Sequence, residues 1–225
     1  MTKPPAARGR RRKGAGPDLR DAILDAAEQL FAAHGFYGVT TRQVAAEAGV
    51  DSALIHYYFG TKRDLFDAVF ARRAEILNSV RSAALRAYEG TNAGQTTALG
   101  VVEAFIAPMI EMSLTGEAGW KNYFRLVALV NNTPAWGGAT MHRFFDPMVH
   151  EFIEALRRAM PDAELRDLYW GYQFLTGSMM LALSETGRID QLSEGLCRST
   201  DLAAVRARLF DYCAAGFEAI VGRNR

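Results

Sequence analysis

The sequence predicts an all-α protein, and three observations carry that reading. Apolar residues recur every three or four positions through most of the chain, the spacing of an amphipathic helix. No convincing alternating strand pattern interrupts them. Helix punctuation is frequent, with Thr capping residues, a polar side chain three positions on, and glycine just past the expected ends. At 225 residues, 49% apolar and 23% charged, the chain can form one large domain or a small domain joined to a medium one. Its two cysteines, Cys197 and Cys213, have no metal-type spacing, so a reducing cytosol is the natural compartment and a cytoplasmic location is expected. The basic N-terminus lacks an apolar stretch and is not a secretory signal. The longest uncharged run, residues 168–184, contains Gln173, Thr176 and Ser178. It is too short and polar for a membrane span, and no membrane partner is expected.

Charge is unevenly placed. Residues 1–16 carry six basic residues and no acid, whereas residues 17–63 carry four basic and six acidic ones. Residues 1–17 are rich in Pro and Gly, cannot bury an apolar face, and are expected to form a disordered basic arm. Arg10, Arg11 and Arg12 are its candidates for contact with a nucleic-acid backbone or minor groove; the alternative is a solvated tail.

A first helix is predicted over residues 18–34, where Ile23, Ala27, Leu30, Phe31 and His34 recur at helical spacing and Gly35 follows as a left-handed cap. A second opens at Thr40, with Gln43 completing a capping box and Val44, Ala45 and Ala48 giving a small apolar face. Gly49 ends it, and Asp51 or Ser52 caps a third helix over residues 52–59. Two short helices joined by so tight a turn form the layout of a helix-turn-helix reader of DNA. In the third helix Ile55 and Phe59 face inward together, which leaves His56, Tyr57 and Tyr58 directed partly outward. Exposed aromatics with polar tips suit sugar, methyl and phosphate contacts; the bland alternative packs the tyrosines on the first helix. A fourth helix begins after Gly60 with Thr61 and Asp64 as a second capping box. Leu65, Val69, Ile76, Val80 and Ala84 mark its expected buried stripe to about residue 89, on the order of 40 Å. That length carries it out of a three-helix reader into a second domain. The expected division is 1–17 arm, 18–64 reader, and 65–225 helical domain.

After a linker at residues 89–97, helices are predicted over residues 98–115, 120–132, 137–160, 162–186 and 201–221. Pro108 is expected to kink the first of these and Pro147 to kink or restart the third. This half holds all three Trp and every Met except Met1, a composition that serves a pocket as well as a core. The pocket candidates are Phe105, Met109, Met112, Trp120, Tyr123, Phe124, Trp136, His142, Phe145, Trp170, Phe174 and Met179, for a lipophilic or aromatic effector. For each alone, core filling is the simpler reading. Residues 162–186 are apolar on two sides, which suggests one face on the subunit's own core and another on a partner. Leu168, Tyr172, Leu175, Leu209, Cys213, Gly216, Phe217 and Ile220 are the candidates for an isologous four-helix homodimer interface.

Residues 18–70 resemble the N-terminal domain of the TetR family of transcriptional regulators. The resemblance rests on the Thr-Thr-Arg opening, the Ala-x-x-Ala-Gly-Val turn, the aromatic third helix and the closing Phe-x-x-Lys-x-x-Leu. His56 stands where the family usually has Tyr. The resemblance implies that Arg42 reads bases, that Thr40 and Thr41 touch backbone, and that Gln43 reaches phosphate or base. It further implies that Ser52, Ala53, Leu54 and Tyr57 face base edges, that His56 and Tyr58 contact phosphate, and that Lys62 grips a phosphate. It implies double-stranded operator DNA and a small effector as partners, with repression relieved by the effector. Two other functional classes fit the sequence less well. An enzyme is disfavoured, because four scattered histidines and an isolated Gly177-Ser178 supply neither a metal set nor a nucleophile elbow, and no cofactor is expected. A helical adaptor that keeps the fold without reading DNA would show no salt-dependent binding to a duplex.

Overall fold

The computed structural model describes residues 17–116 and 118–222, so the basic arm with Arg10, Arg11 and Arg12 lies outside the described residues. Among the described residues there are ten helices and no strand: α1 (Pro17–His34), α2 (Thr41–Glu47), α3 (Ser52–Phe59), α4 (Lys62–Thr91), α5 (Ala98–Thr115), α6 (Ala118–Asn131), α7 (Gly137–Ala159), α8 (Leu165–Leu183), α9 (Arg188–Leu192) and α10 (Leu202–Gly222). The all-α class follows from the sequence as expected. The short α9 was not anticipated; five residues give too little periodicity to register.

Local chemistry sets the boundaries. The Gly35 amide donates to the Phe31 carbonyl at 2.9 Å, and Gly35 takes φ 69°, a conformation costly for any residue with a Cβ. Gly49, at φ 64°, does the same at the turn between α2 and α3. Both prolines sit inside continuous helices, Pro108 in α5 and Pro147 in α7. Of the kink or restart expected at Pro147, the restart does not occur.

The helix α4 is 30 residues long, about 45 Å at 1.5 Å per residue, and α1, α3, α5 and α7 pack along it. Its buried side includes Leu65, Phe66, Val69, Phe70, Arg73, Leu77, Arg81 and Leu85. Here the expected stripe needs correction: Ile76 and Val80 are exposed. Two arginines, Arg73 and Arg81, occupy core-facing positions and break the apolar repeat, so apolar spacing alone points to the wrong side. An aromatic chain ties α4 to both halves. Phe66 meets Phe31 of α1 at 5.3 Å and Trp136 at 5.2 Å, and Phe70 meets Tyr123 of α6 at 5.5 Å. The outer end of the bundle is a second aromatic cluster, with Phe105 of α5 stacked on Phe152 of α7 at 4.0 Å and Phe152 against Phe217 of α10 at 6.2 Å.

The joint between α1, α4 and α6 is ionic and buried. Glu28 is 2% exposed, and its Oε2 accepts from Arg73 Nε at 2.6 Å and from an Arg72 terminal nitrogen at 3.0 Å. Arg73 also lies over the Trp120 ring at 5.0 Å. Gly119 completes the joint, because a Cβ there would stand 1.9 Å from an Arg73 terminal nitrogen. Removing one member of a buried ion pair strands the other, at a cost of about 3–5 kcal/mol. Glu28→Ala is accordingly expected to lose about that much stability in urea denaturation, and a loss below ~1 kcal/mol, the scale of an exposed pair, would show that the pair is not effectively buried.

Candidate nucleic-acid interface

The α2–α3 unit is held by its own caps. The Thr40 amide donates to Gln43 Oε1 at 2.8 Å and the Gln43 amide to Thr40 Oγ1 at 3.2 Å, so the capping box is closed. At α3 the cap is Asp51, whose Oδ1 accepts from the Ala53 amide at 2.8 Å. Inside, Val44, Ala45, Ile55 and Phe59 are buried. The pattern of inner residues forces the outer ones: Thr40, Arg42, Gln43, Ser52, Ala53, His56 and Tyr57 are all exposed, with Thr41, Leu54 and Tyr58 half-buried.

Each outer side chain has a distinct chemical state. Arg42 has no side-chain partner among the described residues, so its five donors are free. Tyr57 is 78% exposed, with its ring edge-on to Tyr58 at 5.2 Å. His56 Nδ1 lies 2.8 Å from the Gly60 carbonyl, which only accepts, so that nitrogen carries the proton. The neutral ring then offers Nε2 as an acceptor, and only the imidazolium can donate to a phosphate. Gln43 spends its Oε1 on Thr40 and keeps its amide donors. Lys62 is half-buried: its Nζ donates to the Val39 carbonyl at 2.7 Å and sits 4.4 Å from the Phe36 ring centroid. It therefore ties the start of α4 to the turn after α1, and two of its three donors remain for another acceptor.

One aromatic went unnoticed in the sequence. Tyr37 is exposed and its hydroxyl accepts from Trp136 Nε1 at 3.0 Å. Nothing in the local pattern around Gly35-Phe36-Tyr37 signals a partner 99 positions away. The same junction explains Trp136, which was expected in a pocket. It packs on Phe36 and Phe66, and Arg63 lies 4.6 Å over its ring. Arg63 continues to Thr140 Oγ1 at 2.7 Å, and Asp67 accepts from Arg143 at 2.9 Å. The first turns of α4 are thus pinned to α7 beside the reader.

Of the other pocket candidates, the structure brings one group together. Phe105, Met109, Trp120, Tyr123, Phe124, Phe145 and Met179 are buried in a single core, with Met112 half-buried against it. His142 is a correction: it is exposed and bonded to Asp146 on the same turn of α7. Trp170 and Phe174 are corrections as well. They stack on each other at 6.0 Å on the outside of α8, 55% and 58% exposed. The expected dimer residues fall the other way. Leu168, Leu175, Leu209, Cys213 and Phe217 are buried in the subunit's own core, while Gly216 is exposed and Tyr172 and Ile220 are half-buried. Two apolar stripes on α8 were legible, but spacing alone does not say which one turns inward. A groove of about 520 Å³ runs between α8 and α10 on the outer side, lined by Phe174, Ser178, Tyr212, Ala215, Gly216 and Ile220 among others. Among the described residues no cluster of three or more His, Cys, Asp or Glu could hold a metal ion. Burial raises the Cys213 thiol to about 11, which makes it a poor nucleophile.

Comparison with known proteins agrees with this geometry. Residues 23–69 match the family described as bacterial regulatory proteins, tetR family, and residues 103–216 match the tetracyclin repressor-like C-terminal domain. The chain is 46% identical over 52 residues to the HTH-type transcriptional regulator BetI of Agrobacterium fabrum, covering 23% of this chain and 25% of that protein. It is 38% identical over 63 residues to the HTH-type transcriptional repressor BepR of Brucella suis, covering 28% and 30%. The chain thus spans about a quarter to a third of the length of these curated relatives. Among solved structures it is similar in fold to the fatty acid degradation regulator FadR of Bacillus halodurans, with a TM-score of 0.59 at 16% identity, covering 91% of this chain and 98% of that one. FadR of Bacillus subtilis in complex with stearoyl-CoA gives 0.56 at 15% identity, covering 87% and 98%. The matched families and relatives are regulators and not enzymes.

The cap at the start of α4 makes the reader's attachment sensitive to acid. The Thr61 hydroxyl donates to Asp64 Oδ2 at 2.6 Å and the Thr61 amide at 3.1 Å. These bonds hold the Asp64 carboxyl below its usual 3.8. A carboxyl lowered in the folded state stabilises above its unfolded value and loses that stabilisation as pH falls through the folded one. The cap is therefore intact at neutral pH and is expected to loosen only below 3.8. Amide protection at Thr61 and Asp64, taken relative to the intrinsic exchange rate at each pH, should fall through the acid range in the natural chain more than in Asp64→Asn.

Proposed function

We propose that this chain, which belongs to the tetR family of bacterial regulatory proteins and is a transcriptional regulator with a DNA-binding helix-turn-helix, acts as a homodimeric cytoplasmic repressor released from its operator by a lipophilic or aromatic small molecule. The observation that carries the reading is the single continuous helix α4, which begins at the reader's third cap and runs past the buried Phe105 of the second domain. Residues 18–64 are the reader and residues 65–225 the ligand-binding and dimerising domain. Repression is supported by the likeness to BepR, and an apolar effector by the aromatic core and by the stearoyl-CoA bound to the Bacillus subtilis FadR.

On DNA, α3 lies in the major groove. Arg42 forks onto a guanine edge, Ser52, Ala53, Leu54 and Tyr57 meet base edges and methyls, and Thr40, Thr41, Gln43, Tyr58, His56 and Lys62 meet backbone. Residues 17–63 hold more acids than bases, so the arm with Arg10, Arg11 and Arg12 supplies much of the attraction to phosphate. Two of those acids, Asp25 and Glu28, are already paired with Arg72 and Arg73, and Asp51 is spent on a cap. The dimer forms through the outer face of α8 and α10, where Trp170, Phe174, Leu181 and Tyr212 are exposed. Such a face in water invites a second copy. The two readers must then stand one helical turn of DNA apart, about 34–36 Å. An effector that binds better to a wider spacing removes the protein from DNA; equal affinity for both spacings would shift nothing.

Two measurements test this. Arg42→Ala is expected to weaken binding to a selected operator by about 1–3 kcal/mol and to relax preference at one base pair; unchanged discrimination against scrambled DNA would refute the assignment. Phe174→Asp places a charge on the proposed dimer face and is expected to yield monomers in sedimentation. A dimer that survives that substitution would place the interface elsewhere.

A further inference from the structure

The buried side of α4 carries two arginines, and only one of them faces an acid. Arg73 is paired with Glu28. Arg81, two turns further along, is 4% exposed, and among the described residues no carboxylate stands within ion-pair distance of it. Its Nε donates to the Phe105 carbonyl at 3.1 Å, and its guanidinium carbon lies 3.4 Å from the Phe105 ring centroid. Burial brings the group down to about 10, and the groups that favour its charge are the phenols of Tyr172 and Tyr123. It is therefore a cation at neutral pH, held in an apolar surround without a counter-ion. That is among the costliest arrangements a folded protein can keep.

Around it the second domain is aromatic. Phe105 is stacked on Phe152, and Tyr172 closes on both rings, at 6.4 and 6.3 Å. Pro108 has no amide proton to give the carbonyl four residues before it, so α5 lacks one rung beside the residue that Arg81 touches. The wall on that side therefore has one backbone hydrogen bond fewer to break.

We propose that Arg81 is the anchor for an effector bearing one carboxylate on an apolar body, with the acid on the guanidinium and the body among these rings. The proposal rests on the ligand-released reading above and assigns the effector's chemical class. With Nε committed to Phe105, the two terminal amino groups present the fork that matches a carboxylate's two oxygens. A monoanion balances the single buried charge; a dianion would leave net charge in the core. Because Arg81 belongs to α4, the pairing acts directly on the helix that starts at the reader.

The test uses the full chain, its selected operator, and two acids, decanoate and naphthoate, each set against its neutral alcohol. Both acids are expected to bind and release the duplex. Arg81→Met should weaken acid binding on the order of 10- to 100-fold, the range for a charged hydrogen bond, and Arg81→Lys should recover part of it. Alcohol binding should not change. Without ligand, Arg81→Met should melt no lower than the natural chain and bind operator as tightly, because it removes an unpaired buried charge. Acid affinity that survives Arg81→Met, acids that bind no better than alcohols, or a ligand-free Arg81→Met that melts well below the natural chain would each overturn the proposal. Release by the alcohols alone would overturn it while leaving ligand-released repression standing. Release by none of the four would count against both.

Discussion

The carboxylate of Glu28, closed off from water between Arg72 and Arg73, sets how the two halves of this molecule can move. It belongs to α1 of the reader, its partners belong to α4, and Arg73 in turn lies on Trp120 of α6. Pulling α1 away from α4 would leave charges buried and unpaired, so α1, α4 and α6 are bound to travel together. Gly119 shows how closely this joint is fitted, since any side chain there would displace Arg73. A small residue in α6 is thus required by an ion pair between two other helices.

With that joint fixed, movement of the reader relative to the second domain falls to softer contacts. The α4–α7 surface mixes Phe70 against Phe144 and Phe145 with polar contacts: Arg63 to Thr140, Asp67 to Arg143, and Asn78 to the Phe144 carbonyl at 2.7 Å. Neutral and half-exposed contacts of this kind cost less to rearrange than a buried ion pair. The helix α5 is the other soft element, lacking one backbone rung at Pro108. A ligand that wedges α5 or α7 from α4 therefore has a route to the reader that does not break the Glu28 pair. Trp136 and Tyr37 close the route at the DNA end, where an indole of the second domain donates to a tyrosine of the reader.

The reader was legible in the sequence because its determinants are local. Capping boxes at Thr40–Gln43 and Thr61–Asp64, and the left-handed glycines at 35 and 49, act within three or four residues. Two buried positions in α3, Ile55 and Phe59, then fix which side chains must face out. The second domain was legible as helices and as an apolar composition, but its faces were not. Along α4 Arg73 and Arg81 break the apolar repeat, so spacing points to Ile76 and Val80 as buried although both are exposed. Along α8 both stripes were visible, yet Leu168 and Leu175 turn inward and Trp170 and Phe174 outward. His142 and Trp136 have pocket-like chemistry, and one ended on the surface with Asp146 and the other in the interdomain joint.

The sequence by itself determined the helical class, the elements of the reader and the outward set on α3, since each depends on hydrogen bonds and periodicity within one or two turns. Only the tertiary structure decided which face of a long helix is inside, because that depends on neighbours dozens of positions away. It alone revealed that one buried arginine of α4 meets Glu28, while the other meets the Phe105 carbonyl and ring with no carboxylate beside it among the described residues. A charge reads the same in a sequence whether it is solvated, paired or stranded; its energy is set by the dielectric and the counter-charge that the fold places around it.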